Sequence, residues 1–144
     1  MGLKINHNYG EMKTKNLKQT VRFSCSPSEL YSLLLDSKKM SAIHSTKTTM
    51  TRRAHGSFTV FDGYCHGQNL ELIEGKKIVQ AWHFKEKGWP DDHFSTCTFL
   101  MEPSDHGTRL TFTQTEVPAI AYDSLREGWY TYYWDPIKAY LQLK

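Results

Sequence analysis

From Leu17 to Leu34 the sequence reads LKQTVRFSCSPSELYSLL, and within that stretch the spacing of its apolar residues changes. Leu17, Gln19, Val21, Phe23 and Cys25 fall on one side of a strict alternation, with Lys18, Thr20, Arg22 and Ser24 on the other. A period of two is the mark of a half-buried strand. The run Ser26-Pro27-Ser28-Glu29 then reads as the start of a helix: Ser26 as N-cap, Pro27 at the first helical position, and Glu29 placed to close a capping box. Leu30, Leu33 and Leu34 follow at helical spacing.

The residues that follow extend the pattern. A second short helix is expected from Ser37, with Met40 and Ile43 on its buried side. Beyond it the sequence reads as strands and tight turns. The expected strands are Thr46 to Arg52, Ser57 to Phe61, Tyr64 to Ile73, Ile78 to Lys85, His93 to Glu102 and Thr108 to Glu116. His55-Gly56, Asp62-Gly63, Glu74-Gly75-Lys76 and the PSDHG run join them. Consecutive strands with short turns imply an antiparallel, curved meander. From about Tyr122 a long helix carries Leu125, Trp129, Tyr133, Ile137 and Tyr140-Leu141 at three- and four-residue steps, an apolar stripe that must lie on something. Pro136 interrupts its hydrogen bonding, so a kink or break is expected near Tyr132. At the other end, residues 1–16 are polar and aperiodic and read as a flexible tail. The expected architecture is α+β: a curved antiparallel sheet wrapped around a long C-terminal helix, with two short helices after the first strand. Residues 17–144 would form one domain.

Composition narrows the function classes. A protein of 144 residues can bury roughly 70% of its unfolded surface and needs no disulfides to hold a core. It is 39% apolar and 23% charged, the balance of an ordinary globule, and its formal charge of +3 comes from scattered residues. That argues against nucleic acid as a partner. Cys25, Cys65 and Cys97 are odd in number and far apart, without metal-ligand spacing, and read as buried thiols in a reducing compartment. No apolar run approaches the roughly 20 residues of a membrane span, and no signal-peptide core is legible. The expectation is a cytoplasmic monomer with no membrane partner.

The densest chemistry lies in Trp82 to Phe94, WHFKEKGWPDDHF. On a strand, Trp82 and Phe84 share a face with Ile78, and His83 takes the other. His83 and His93 therefore cannot both ligate one ion, and no metal is expected. Asp91-Asp92 after Pro90 reads as a solvated turn. His93 reads either as a turn histidine bonded to backbone or as a polar anchor at a cavity entrance. Gly128, inside the long helix, suggests a ring from Trp82 or Trp89 approaching closely. Tyrosine and tryptophan suit the lining of a mostly apolar pocket. The expected lining is Trp82, Phe84, Trp89, His93, Phe99, Trp129 and Tyr133. No nucleophile elbow, phosphate loop or catalytic triad is legible, so neither an enzyme nor a cofactor is expected.

Four stretches carry a family resemblance: FDGYCHGQNLELIEGKKIVQAWHF from Phe61, WPDDHFSTCTF from Trp89, GTRLTFTQTEVP from Gly107, and LREGWYTYYWDPIKAYL from Leu125. Their order, with Asp62-Gly63, Gly67, Trp82, Trp89-Pro90, His93-Phe94, Gly128-Trp129, Tyr132-Tyr133 and Ile137-Lys138, resembles the C-terminal domain of the activators of Hsp90 ATPase, within the START-like, helix-grip superfamily. The resemblance spans roughly Leu17 to Leu141. It implies a helix-grip fold and a non-catalytic co-chaperone domain whose partner is Hsp90. The alternative it implies is a small hydrophobic ligand held between sheet and helix.

Overall fold

The computed structural model describes residues 12–143. The alternating segment forms β1, Thr14–Phe23, with Leu17, Gln19, Val21 and Phe23 buried. It begins inside the expected tail, because Thr14 and Lys15 pair with Pro118 and Val117 while their side chains remain in solvent. Pairing without burial leaves no apolar pattern to read. Residues 1–11 of the tail expected over residues 1–16 lie outside the described residues.

The capping box forms as the sequence implies. The Ser26 hydroxyl accepts from the Glu29 amide at 3.2 Å, and the Glu29 carboxylate accepts from the Ser26 amide. These bonds satisfy two donors at the start of α1, Pro27–Leu34, whose buried face is Leu30, Tyr31, Leu33 and Leu34. Asp36 caps α2, Ser37–His44, by accepting from the Lys39 amide at 2.8 Å, and Met40 is its fully buried contact.

Five further strands follow: β2 Ser57–Val60, β3 Cys65–Ile73, β4 Lys77–Phe84, β5 Ser95–Ser104 and β6 Gly107–Pro118. They make one antiparallel sheet in the order β1-β6-β5-β4-β3-β2. β1 and β2 are successive strands at opposite edges, and the segment holding α1 and α2 carries the backbone between them. Bulges between Lys15 and Leu17 and between Asn69 and Glu71 add local twist. Gly67 in β3 marks a close approach, since a Cβ there would sit 1.7 Å from the Ala81 carbonyl oxygen.

Thr46 to Arg52 is not a strand. Among the described residues its one β-bridge to the sheet is Thr49 to Thr59, and Thr51 adds side-chain bonds with Ser57 and Asn69. The reason lies in α2: the Ser41 hydroxyl accepts from the Thr48 amide and donates to its carbonyl, and the Ser37 hydroxyl does the same for Met50. Two serines supply the bonds that a neighbouring strand would otherwise make. β5 likewise starts at Ser95, later than expected, with His93 and Phe94 left in the preceding loop.

A 3-10 turn, Ala119–Ala121, leads into the terminal helix: α3 Tyr122–Gly128, a π-helical segment Trp129–Trp134, and α4 Asp135–Gln142. The helix does not end near Tyr132, the site of the expected kink or break; the irregularity there is the π-helical segment. Gly128, Trp129, Trp134 and Asp135 all keep right-handed helical dihedrals. A widened turn ahead of Pro136 accommodates the missing donor without ending the helix. Both Tyr133 and Trp134, adjacent in sequence, are buried.

Three buried indoles bond sheet glutamines, and two of them, Trp129 and Trp134, tie the helix to the sheet. Trp82, Trp129 and Trp134 donate from Nε1 to the side-chain oxygens of Gln80, Gln114 and Gln19, each at 2.8 Å. The three glutamines are buried on inward faces of β4, β6 and β1. Their amide nitrogens donate onward, Gln80 to Asn69, Gln114 to Ser95 and Gln19 to the Arg126 carbonyl. Each of these buried polar groups thus has its partner, which is what makes polar groups tolerable in a core.

Candidate functional site: a ring-lined cavity under the terminal helix

β4 turns Ile78, Gln80, Trp82 and Phe84 toward the terminal helix and directs Val79, Ala81 and His83 to the other face. The helix answers with Leu125, Trp129 and Tyr133, spaced four residues apart. Packing between the two is incomplete, and a cavity of about 350 Å³ remains. Trp82 and Trp129 stand with ring centroids 5.1 Å apart, Trp82 and Phe84 at 5.5 Å, and Trp129 and Tyr133 at 5.0 Å. Phe61 and Tyr64, from the β2–β3 turn, close one side. Tyr132 and Tyr64, 64% and 38% exposed, form the mouth.

Four of the seven expected lining residues meet there: Trp82, Phe84, Trp129 and Tyr133. The other three do not. Phe99 lies deeper in the core, 5.1 Å from Phe112 between ring centroids and 6.1 Å from Trp134. Trp89 folds back over the end of β4, 4.9 Å from Phe84 and 6.3 Å from His83, and donates to the His93 carbonyl at 2.8 Å. His93 belongs to the turn: its Nε2 bonds the Glu116 carbonyl at 2.7 Å. That bond ties the ring to β6, and His93 is not among the residues that line the cavity. Gly128 lines the cavity but receives no close ring, since a Cβ there would meet only the Tyr132 ring at 3.8 Å.

His83 lies on the far face, its Nδ1 donating to the His93 carbonyl at 3.0 Å and its ring 4.9 Å from that of His66. Among the described residues no three His, Cys, Asp or Glu side chains come together to hold a metal ion. No helix among them is long and apolar enough to cross a membrane.

Several cavity groups carry no sequence signal that marks them as lining. Cys65 is one, with burial and then the nearby Glu86 charge pushing its thiol pKa up. A protonated thiol is a poor nucleophile. Burial also raises Tyr133 well above the usual phenol range. Tyr64 is raised first by burial and then by its hydrogen bond to the Glu86 carboxylate. Glu86 and Ser124 belong to a loop and a helix start, where no periodicity marks an inward residue. Cys65, Tyr64 and Tyr133 thus keep their protons on the cavity wall.

The comparisons with known proteins agree with the fold. Residues 24–142 match the model of the family described as activator of Hsp90 ATPase homolog 1-like protein. The chain belongs to that family. It is 33% identical over 122 residues to the human activator of 90 kDa heat shock protein ATPase homolog 1, covering 85% of this chain and 35% of the human protein. The corresponding homolog of Dictyostelium discoideum is 30% identical over 125 residues, covering 87% of this chain and 32% of that protein. The chain thus spans about a third of the length of these relatives. Among solved structures, an Hsp90 activator from Plasmodium falciparum superposes with a TM-score of 0.81 at 20% identity, over 88% of this chain and 96% of the other. The helix-grip fold implied by the activator resemblance is the fold of this protein.

Proposed function

We propose that this domain is a non-catalytic co-chaperone module that binds Hsp90 and modulates its ATPase cycle, acting as a monomer in the cytoplasm. The observation that carries the proposal is the family match across residues 24–142, together with relatives named for activating this chaperone's ATPase. A cavity whose thiol and phenols stay protonated is compatible with a role exerted by binding. The mechanism is preferential binding of one chaperone conformation, because a partner shifts an equilibrium only by its difference in affinity between states. Titrating the purified protein into Hsp90 while following ATP turnover tests it. Saturable binding with a change in turnover is expected. No association at tens of micromolar, with turnover unaltered, would remove the proposal.

A second reading, that the cavity holds a small hydrophobic ligand, draws support from one observation. Tyr133 is 2% exposed and lines the cavity, and its hydroxyl has no hydrogen-bond partner among the described residues. A hydroxyl on a lining residue with no protein partner is suited to a bound molecule's polar atom.

A further inference from the structure

The cavity walls are unusual in their charge as well as their aromatic content. Glu86 is the only charged side chain among the described residues that line it, and no lysine or arginine does. The rings of Tyr64, Trp82, Phe84, Trp129 and Tyr133 line the same cavity, and the Tyr64 hydroxyl donates to the Glu86 carboxylate. Aromatic faces are electron-rich and attract cations, most strongly where water is excluded. A carboxylate at the end of such a cage adds a formal counter-charge. An anionic ligand would meet Glu86 without a compensating cation on the wall. A neutral apolar ligand would leave the carboxylate beside it with only Tyr64 as a hydrogen-bonding wall partner.

We propose that this cavity binds an organic cation, a hydrophobic amine or quaternary ammonium, with its charge beside Glu86 and its apolar body between Trp82, Trp129 and Tyr133. The proposal rests on the reading of the cavity as a ligand site and adds the class of ligand. The volume of about 350 Å³ lies at the small end of the roughly 300–1,000 Å³ range of ligand pockets, which favours a compact molecule with one ring or a short branched chain. The Tyr64 hydroxyl, bonded to the Glu86 carboxylate, holds that group at the mouth. Where the ligand carries an N–H, the Tyr133 hydroxyl supplies an acceptor.

The test uses benzyltrimethylammonium and its uncharged isostere neopentylbenzene, titrated separately into the intact protein. Tryptophan fluorescence and the shift in melting temperature report binding. The cation is expected to bind at least ten-fold more tightly than the isostere. Glu86→Gln should abolish that preference, whereas Tyr64→Phe, which keeps the carboxylate, should retain it. Gly128→Leu, which fills the space from the helix side, should weaken both probes; melting curves verify that each variant folds. Equal affinity for the two probes, or a preference that survives Glu86→Gln, would overturn the cation proposal while leaving a ligand cavity standing. Failure of both probes to bind at millimolar concentration would remove the cavity reading as well.

Discussion

Trp134→Ala is expected to lower the free energy of unfolding by about 4 kcal/mol, the range for truncating a fully buried aromatic residue. Trp134 has no solvent exposure. Its ring lies stacked on Trp129 at 5.4 Å and edge-on to Phe112 at 5.3 Å and Phe23 at 6.1 Å. Removing it empties the centre of the contact between helix and sheet. It also deprives the Gln19 side-chain oxygen of its indole donor, and the unsatisfied buried acceptor accounts for about 1–3 kcal/mol of that loss. Trp134→Phe separates the two contributions: it keeps most of the ring volume and loses the N–H, so it should fall between the wild type and the alanine variant. Denaturant titration of all three measures this. A loss below about 1 kcal/mol for Trp134→Ala would mean that the ring is not part of a packed core.

The second large effect is expected at Gly67. A methyl group there would lie 1.7 Å from the Ala81 carbonyl oxygen and 2.9 Å from the Phe58 ring. The first obstacle is backbone held in the β3–β4 ladder, where Gly67 faces Trp82 and Gln68 faces Ala81. It cannot rotate away, so the two strands must part. Gly67→Ala is expected to cost about 3 kcal/mol or more, at the upper end of overpacking effects. Gly63 provides the contrast. Its φ of +91° is costly for other residues, but nothing lies within 4 Å of a Cβ placed there. Gly63→Ala should therefore cost only about 1–2 kcal/mol, from backbone conformation alone. Equal losses at the two positions, measured by thermal or denaturant unfolding, would contradict the close strand approach at Gly67.

How far the sequence can be read depends on whether a side chain's burial follows a local rhythm. β1, the capping box at Ser26 and the stripe through Leu125, Trp129 and Tyr133 are legible because period and burial coincide there. Thr46 to Arg52 resembles a strand because threonines suit strands, yet the backbone of Thr48 and Met50 is bonded by Ser41 and Ser37 from α2. Tertiary hydrogen bonds of that kind have no local signature. Much of the cavity wall is hidden for a related reason: Glu86 and Phe61 are brought in by turns, and Ser124 by the start of a helix. Gln19 does sit on the inward side of its alternation, and a polar residue in such a position is the one sequence signal that points to the Trp–Gln pairing. Trp134 falls outside the apolar stripe through Tyr133 and Ile137, and the π-helical turn buries it all the same.

Hydrogen exchange of the four indole N–H groups, followed by NMR, tests most directly whether the rings form a closed interior with sheet glutamines holding the helix. The hydrogens of Trp82, Trp129 and Trp134, donated to buried glutamines, should persist as long as the most protected backbone amides. That of Trp89, bonded to a loop carbonyl at a partly buried site, should exchange sooner. If the Trp82 or Trp129 hydrogen exchanged as fast as that of Trp89, the helix would not be closed over the sheet and the account would be wrong.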